Sequence, residues 1–415
     1  MTNLPSSARR TEAARDNDAT VIVGGGIIGL ATAYKLLEAD RGRRVIVLEK
    51  ESAVARHQSG HNSGVLHAGL YYAPGSLKAR LAVDGIRQMK AFCREFGVPH
   101  EACGKLVVAT SEQEVPRLDE LLRRGTANGL AGLRIVSPAE ALEREPHVRC
   151  AAAVLVPEEG IVDYRAVCHA LVDRIVERGG EVRTSTAVET ITPDGRGWVV
   201  ATPHGDLRAS YLINCAGLQC DRVARLAGEK LDLRIVPFRG TYFKLRPERR
   251  SLVNQLVYPV PDPAFPFLGV HFTRMIGGDI EAGPNAVLAL AREGYRPLNV
   301  NLRDAASALL FPGLWRFLRR YPSMVGYELR RAFSRRLFCA SLQRLIPEIQ
   351  AGDLLPGGAG VRAQAVASDG TLVNDFVIRQ SPRALHLLNA PSPGATASLA
   401  IGDVLVSRMA EDLSS

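Results

Sequence analysis

The sequence predicts an α/β chain in which a Rossmann-like dinucleotide-binding domain shares a cleft with a discontinuous, β-rich α+β substrate domain. Three observations predict it: a strand, glycine turn and helix near the start, a Gly-rich return to short strands near the end, and Pro-rich β material between them.

Residues 1–18 are polar and charged, lack the apolar core of a signal peptide, and are expected to form a disordered leader. From Thr20 the pattern becomes strand (Thr20–Val23), turn (Gly24–Gly29), helix (Leu30–Leu37) and strand (Arg44–Glu49). So short a βαβ unit implies a parallel pair with a right-handed crossover. Gly-rich sequence runs on to Tyr72, followed by a helical run from Leu77 to Phe96. Lys105–Thr110 reads as a strand, and Glu112–Asn128 as an amphipathic helix with leucines on one face. Tyr164–Arg178 has helical spacing and stops at Gly179-Gly180. Glu181–Thr186, Val188–Thr192, Trp198–Thr202 and Tyr211–Asn214 are strand-like. Residues 231–285 read as strands and Pro-rich turns, and 300–345 as mainly helical; the remainder returns to Gly-rich loops, short strands and a final helix. The nucleotide-binding domain is therefore expected at 19–99, 159–230 and 346–415, and the substrate domain at 100–158 and 231–345.

With 415 residues, 46% hydrophobic and 23% charged, the chain is long enough to bury a sizeable core, and wholesale disorder is excluded. The uncharged stretch Ala19–Tyr34 is too short and too Gly-rich to span a bilayer. Seven scattered cysteines, never in Cys-x-x-Cys spacing, predict free thiols in a reducing cytoplasm, and no metal site is expected. The net charge of +9 is concentrated: 296–344 carries ten arginines against two acids, a local excess of +8, together with Leu314, Trp315 and Phe317. Two readings stand for this segment, solvated helix faces or a peripheral membrane contact. Nucleic acid is not expected, because no recognition motif accompanies the charge.

Val21-Ile-Val-Gly24-Gly-Gly26-Ile-Ile-Gly29 places G-x-G-x-x-G between a strand and a helix. The first glycine permits the turn, the second lets backbone approach a pyrophosphate, and the third allows close helix–strand packing. The helix N-terminus offers free N–H groups to phosphate, and Glu49, twenty residues after Gly29, is placed to accept from a ribose. Tyr211-Leu-Ile-Asn-Cys-Ala-Gly217 ends in the small-residue turn that two-dinucleotide flavoproteins use where the chain returns to the cofactor. The segment 59–69 is rich in Gly and small polar residues suited to wrapping an extended molecule by backbone contacts. Together these favour FAD over NAD. The residues assigned to it are Gly24, Gly26, Ile27, Ile28 and Gly29; Glu49 and Lys50; Gly60, His61, Asn62, Ser63 and Gly64. Val188, the turn Cys215-Ala216-Gly217, the stretch Gly360-Val361-Arg362 after a Gly-rich turn, and Gly394-Ala395-Thr396 complete the set.

On the substrate side, Arg362 could clamp a carboxylate with its planar fork, or lie on the surface. Arg239 and Arg274 add cationic groups on the β-rich domain. Oxidising an alcohol needs a base for the hydroxyl proton, and histidine titrates in the right range. His67 and His271 each sit in a short strand-like segment between small residues, and the choice between them stays open.

Several blocks are seen together in one family. Gly60-His-Asn-Ser-Gly-Val-Leu-His-Ala-Gly-Leu-Tyr-Tyr72, Cys103-Gly-Lys-Leu-Val-Val-Ala-Thr110, Gly160-Ile-Val-Asp-Tyr-Arg165, Asn214-Cys-Ala-Gly-Leu-Gln219, Val236-Pro-Phe-Arg-Gly240, Tyr258-Pro-Val-Pro-Asp-Pro263, Phe267-Leu-Gly-Val-His271 and Gly360-Val-Arg-Ala-Gln364 resemble the L-2-hydroxyglutarate oxidase/dehydrogenase family. That resemblance implies the D-amino-acid-oxidase/glycine-oxidase-like fold, bound FAD, and oxidation of L-2-hydroxyglutarate to 2-oxoglutarate by hydride transfer. It also implies flavin reoxidation by oxygen or a membrane quinone, and gives the basic segment a purpose on the inner face of the membrane. A dicarboxylate suits several convergent cations, Arg362 with Arg239 or Arg274, and brings Tyr258 into the substrate set. Thr241 stands where the family commonly has an acid, which alters what the pocket repels. The rivals are an amino-acid oxidase of the glycine-oxidase kind, an oxidase of a related 2-hydroxy acid and, remotely, a non-catalytic flavin-binding or nucleic-acid-associated protein.

Overall fold

The computed structural model describes residues 19–262, 269–296 and 298–414, so the expected leader lies outside the described residues. Two sheets dominate. The first has eight strands, and its centre is Ala19–Val23, every residue buried. This strand runs parallel to Val45–Leu48 on one side, Val21 opposite Ile46, and to Gly205–Asn214 on the other, Val21 opposite Leu212. Both apolar runs are buried on two faces, as their lack of alternation requires. Helix Ile27–Ala39 follows the first strand, with Tyr164–Glu177 and the C-terminal Ser398–Ser414 packed beside it. It begins three residues before the predicted Leu30, because Gly29 belongs to its first turn: a Cβ there would lie 2.0 Å from the Gly24 carbonyl oxygen. Asp163 caps Tyr164–Glu177, its carboxylate accepting from the N–H groups of Arg165 and Ala166.

The second sheet has nine strands. Its longest pairing is antiparallel, Leu233–Leu245 against Leu354–Ala367, with Phe238 opposite Arg362 and Arg239 opposite Val361. Here the structure corrects the sequence reading. The glycines at 357–360 lie in a strand, not a turn, and 354–367 extends the second sheet rather than the first domain. Glycine is needed because the partner backbone comes too close: a Cβ at Gly357 would lie 2.5 Å from the Tyr242 carbonyl oxygen, at the register shift between Thr241 and Phe243. In the same sheet Lys105–Ala109 lies between Leu256–Pro259, parallel, and Ala152–Val156, antiparallel. A small third sheet joins Val65–Leu66, Gly160–Val162 and His100–Glu101.

The basic segment folds as predicted into helices, Leu302–Leu309, Pro312–Arg320, Pro322–Phe333 and Arg335–Leu342. Pro312 and Pro322 each sit at a helix start, where a missing N–H does no harm. All seven cysteines are free, as the scattered spacing predicted.

Candidate active site

The site is built from the ends of the first sheet upward. Gly24 adopts φ +115°, and a Cβ on it would lie 2.5 Å from the Cys215 carbonyl oxygen, so only glycine lets the first turn sit against the turn after Gly205–Asn214. Gly26, the N-cap of Ile27–Ala39, has no side chain with which to close the helix end. Ser59 Oγ takes the Ile27 N–H at 2.9 Å, a role the sequence reading did not assign although Ser59 opens the quoted loop. Glu49 is held by Gly25 N–H at 2.8 Å and Glu51 N–H at 2.9 Å, one to each carboxylate oxygen. Each oxygen keeps a second lone pair for a ribose hydroxyl.

These groups open on a cavity of about 840 Å³, within the range of roughly 300–1,000 Å³ usual for cofactor sites. Gly24, Gly26, Ile27, Ile28, Glu49 and Lys50 line it beside the start of the helix. Val188 and the turn Cys215-Ala216-Gly217 close its flank, and Asn62, Ser63, Gly64 and Gly394-Ala395-Thr396 line the far end together with His67. Asn62 organises the loop, donating to the carbonyls of Gln58 and Ser59 and accepting from Gly64 N–H. The cradle fits an extended dinucleotide: Gly24 and Gly29 stand where a Cβ would collide, and the Glu49 carboxylate beside them could accept from a ribose hydroxyl.

Of the other assigned residues, Gly60, His61, Gly360 and Val361 lie outside the cavity lining. Gly60 is internal to the loop, where a Cβ would lie 2.2 Å from the Ala55 carbonyl oxygen and its own carbonyl accepts from Arg165. His61 stacks on Tyr295 with centroids 3.9 Å apart, and burial pushes its imidazole down from the ordinary value. Lys50 pairs with Glu51 and lies 3.0 Å from Glu293, so the Glu51–His57–Glu293 cluster already holds a cation. Gly360 passes over the His61 carbonyl, and Val361 is buried within the sheet.

Beyond the cavity the second sheet supplies the candidate substrate side. Tyr258 stacks on His271 at 3.8 Å and meets His67 edge-on at 6.4 Å. His271 donates from Nδ1 to the Gly269 carbonyl; burial first, then the positive charges of Arg362 and Lys105, hold its ring at about 3, so it stays neutral. Burial pushes the Tyr242 hydroxyl up to about 12, against the pull of Arg362. Arg239 is half-buried and, among the described residues, has no ion-pair partner. Thr241 donates its N–H to Asn285 Oδ1 at the bulge. Arg274 does not join the group: it sits at a strand end, 2.7 Å from the exposed Glu101, which removes it from the substrate set. The alternation of its strand could not reveal that partner, 173 residues away.

Two residues that the sequence reading passed over complete the arrangement. His67 Nδ1 lies 3.4 Å from Glu159 Oε2, and Lys105 Nζ lies 2.6 Å from the same oxygen. The Lys105 and Glu159 side chains are both fully buried. Burial works against both charges, yet the Lys105 ammonium first, with the His67 ring beside it, holds the Glu159 carboxyl down at about 2.

A dinucleotide cradle on the first sheet, with His67 in its lining and His271, Arg239 and Arg362 on the second sheet, defines a flavin-dependent oxidoreductase. Residues 19–408 match the family model of the FAD dependent oxidoreductases, and FAD is the cofactor. The chain belongs, within that class, to the L-2-hydroxyglutarate dehydrogenase family. It is 48% identical to the L-2-hydroxyglutarate dehydrogenase of Indibacter alkaliphilus, with 92% of this chain and 96% of the relative covered. It is 43% identical to the mitochondrial L-2-hydroxyglutarate dehydrogenase of Homo sapiens, covering 93% and 87%. Among solved structures, the FAD-bound L-alpha-glycerophosphate oxidase of Mycoplasma pneumoniae matches with TM-score 0.76 and 25% identity over 94% of each chain. Glycine oxidase of Geobacillus kaustophilus matches with TM-score 0.70 and 21% identity over the same shares, a likeness of fold.

Proposed function

We propose that this protein oxidises L-2-hydroxyglutarate to 2-oxoglutarate, with His67 taking the hydroxyl proton. The observation that carries the reading is His67 at the end of the cofactor cavity, with a buried carboxylate behind its Nδ1. An alcohol must give up a proton as the α-hydrogen leaves as hydride, whereas an amine can react in its neutral form, so a base in this place favours the hydroxy acid over the amino acid. Bound FAD supplies the hydride acceptor. Arg362 and Arg239 hold the two carboxylates, Arg239 being a half-buried guanidinium that lacks an ion-pair partner among the described residues. His271 is second to His67 as base, because its Nδ1 is committed to Gly269 and it lies off the cavity. Tyr258 forms the wall between the two imidazoles, and Thr241 borders the substrate.

Anaerobic bleaching of the flavin's visible absorption tests this, with each 2-hydroxyglutarate enantiomer and then with glycine and glutamate. Bleaching by the L-hydroxy acid alone is expected; bleaching by an amino acid in its place would move the protein to the oxidase rival.

The same reading requires an electron acceptor, oxygen or a membrane quinone, and we propose a peripheral contact with anionic lipid on the cytoplasmic face through 296–344. No helix among the described residues is long and apolar enough to cross a membrane. Leu298, Leu302, Leu310 and Phe333 are 91%, 83%, 79% and 89% exposed, in a segment rich in arginine. Basic and exposed apolar groups together suit an anionic interface. Sedimentation with anionic but not zwitterionic vesicles, lost in Leu310→Ser/Phe333→Ser, is the expected result; equal sedimentation of both forms would remove the contact.

A further inference from the structure

We propose that Glu159 and Lys105 act as one positioning device for the reaction: the carboxylate fixes the ring of His67 by Nδ1, while the ammonium cancels the charge that would otherwise keep that ring protonated. The inference rests on the reading of His67 as the proton acceptor.

Glu159 is placed to hold His67 from two sides. Oε2 faces Nδ1 at 3.4 Å, and Oε1 accepts the N–H of Ala68, the next residue, at 3.2 Å. Thr396 Oγ1 accepts the N–H of His67 itself at 3.2 Å, and is in turn 2.7 Å from Tyr164 Oη. With the backbone held and Glu159 facing Nδ1, Nε2 is the ring nitrogen left for the cavity that His67 lines. A carboxylate behind a histidine orients the ring and selects the tautomer, but alone it also favours the imidazolium, which cannot accept a proton. Lys105 removes that conflict. Its ammonium meets Glu159 Oε2 at 2.6 Å and lies 4.6 Å from the Tyr71 ring centroid and 5.0 Å from that of Tyr258. A fully buried lysine that pairs with no other carboxylate among the described residues balances Glu159 and serves no solvent-facing role.

The other charged and titratable groups around the cluster contribute fixed charges or none. Tyr71 and Tyr258 are driven well above their ordinary range by burial, and Tyr72 and Tyr164 are also raised. His271 is neutral and Arg362 is a permanent cation. Lys90 feels Glu159 weakly and donates to the Glu158 carbonyl.

The test is the pH dependence of anaerobic flavin reduction by L-2-hydroxyglutarate in the FAD-loaded protein, for Glu159→Gln, Glu159→Asp, Lys105→Met and the charge-neutral Lys105→Met/Glu159→Gln. Glu159→Gln is expected to slow reduction by roughly tenfold or more and to move the acid limb to lower pH by about one unit, with partial recovery in Glu159→Asp. Lys105→Met is expected to move the limb the opposite way, by about one unit or more, because the carboxylate is then uncompensated. The double variant, which leaves no unpaired buried charge, keeps the question answerable where Lys105→Met fails to fold: its limb should return toward that of the wild-type chain while reduction stays slow, because the ring is no longer oriented. A merely structural pair would lower stability or FAD retention and leave the limb in place; an unmoved limb in Glu159→Gln, or reduction by the double variant as fast as by the wild-type chain, overturns the proposal. His67→Asn separates the two readings: undiminished reduction sinks the proton-acceptor role itself, whereas slow reduction in His67→Asn with an unmoved limb in Glu159→Gln sinks only the positioning role.

Discussion

Arg292 and Asp221 form a fully buried ion pair that joins the two domains, with Arg292 Nη2 3.0 Å from Asp221 Oδ2 and Nη1 on the other carboxylate oxygen. Arg292 also donates to the carbonyls of Leu218 at 2.6 Å and Ile235 at 3.2 Å, so one guanidinium reaches the turn after Gly205–Asn214 and the strand Leu233–Leu245. Among the described residues, Arg292→Ala leaves Asp221 with only the half-exposed Arg225 as a salt-bridge partner. The expected loss is about 3–5 kcal/mol, the usual effect of stripping one partner from a buried pair. Urea unfolding with FAD in fixed excess reads it, and a loss below about 1 kcal/mol would mean that the pair is replaced by solvent.

Gly29→Ala should yield protein that is folded but poor in flavin. The added methyl has 2.0 Å to the Gly24 carbonyl oxygen, and the shift needed to admit it displaces the turn that faces the cavity. Visible absorption of the purified variant is the measure, and full flavin content would show that the turn yields elsewhere.

Arg362→Lys keeps the charge but loses the planar fork. The expected outcome is a KM for L-2-hydroxyglutarate raised roughly tenfold or more, with FAD content unchanged. Unaltered KM together with reduced flavin would return Arg362 to the cofactor.

His271 makes stability depend on pH. Its ordinary value is 6.5 and burial holds it at about 3, so between these values the unfolded chain binds a proton that the folded chain refuses. The contribution is complete above about pH 6.5 and declines by at most about 1.4 kcal/mol per pH unit as pH falls toward 3. Unfolding midpoints compared at about pH 7.5 and about pH 5.5 should fall more for the wild-type chain than for His271→Gln. Equal falls would show that the ring is hydrated.

The thiols should be slow to react. Burial pushes Cys103 and Cys150, the two half-buried ones, up to about 11, and Cys93, Cys168 and Cys215 up to about 12. Native protein treated with DTNB is expected to react slowly, with all seven thiols released on unfolding. A rapid burst would mark a thiol made accessible by local opening.

The nucleotide-binding half was legible because its constraints are local. Gly24, Gly26 and Gly29 are spaced for one turn, and Glu49 follows at the end of the next strand. Glycine also misled: at 357–360 it reads as a turn, while its actual cause, the approach of Tyr242 across the sheet, comes from more than a hundred residues away. Glu159 was hidden for the opposite reason. In Pro157-Glu-Glu-Gly160 it looks like surface turn, and only Lys105, opening a strand buried at all five positions, betrays an unusual environment. A lysine flush with an apolar strand was the available signal.

His67 belongs to the first domain, Lys105 opens a strand of the second sheet, and Glu159 sits just before the small sheet that links them. Neither lobe is therefore an interchangeable cassette. A chimera that grafts a relative's second lobe onto this cradle would inherit the cofactor and forfeit the geometry around the imidazole, so specificity in this fold is expected to evolve by matched changes on both sides of the seam.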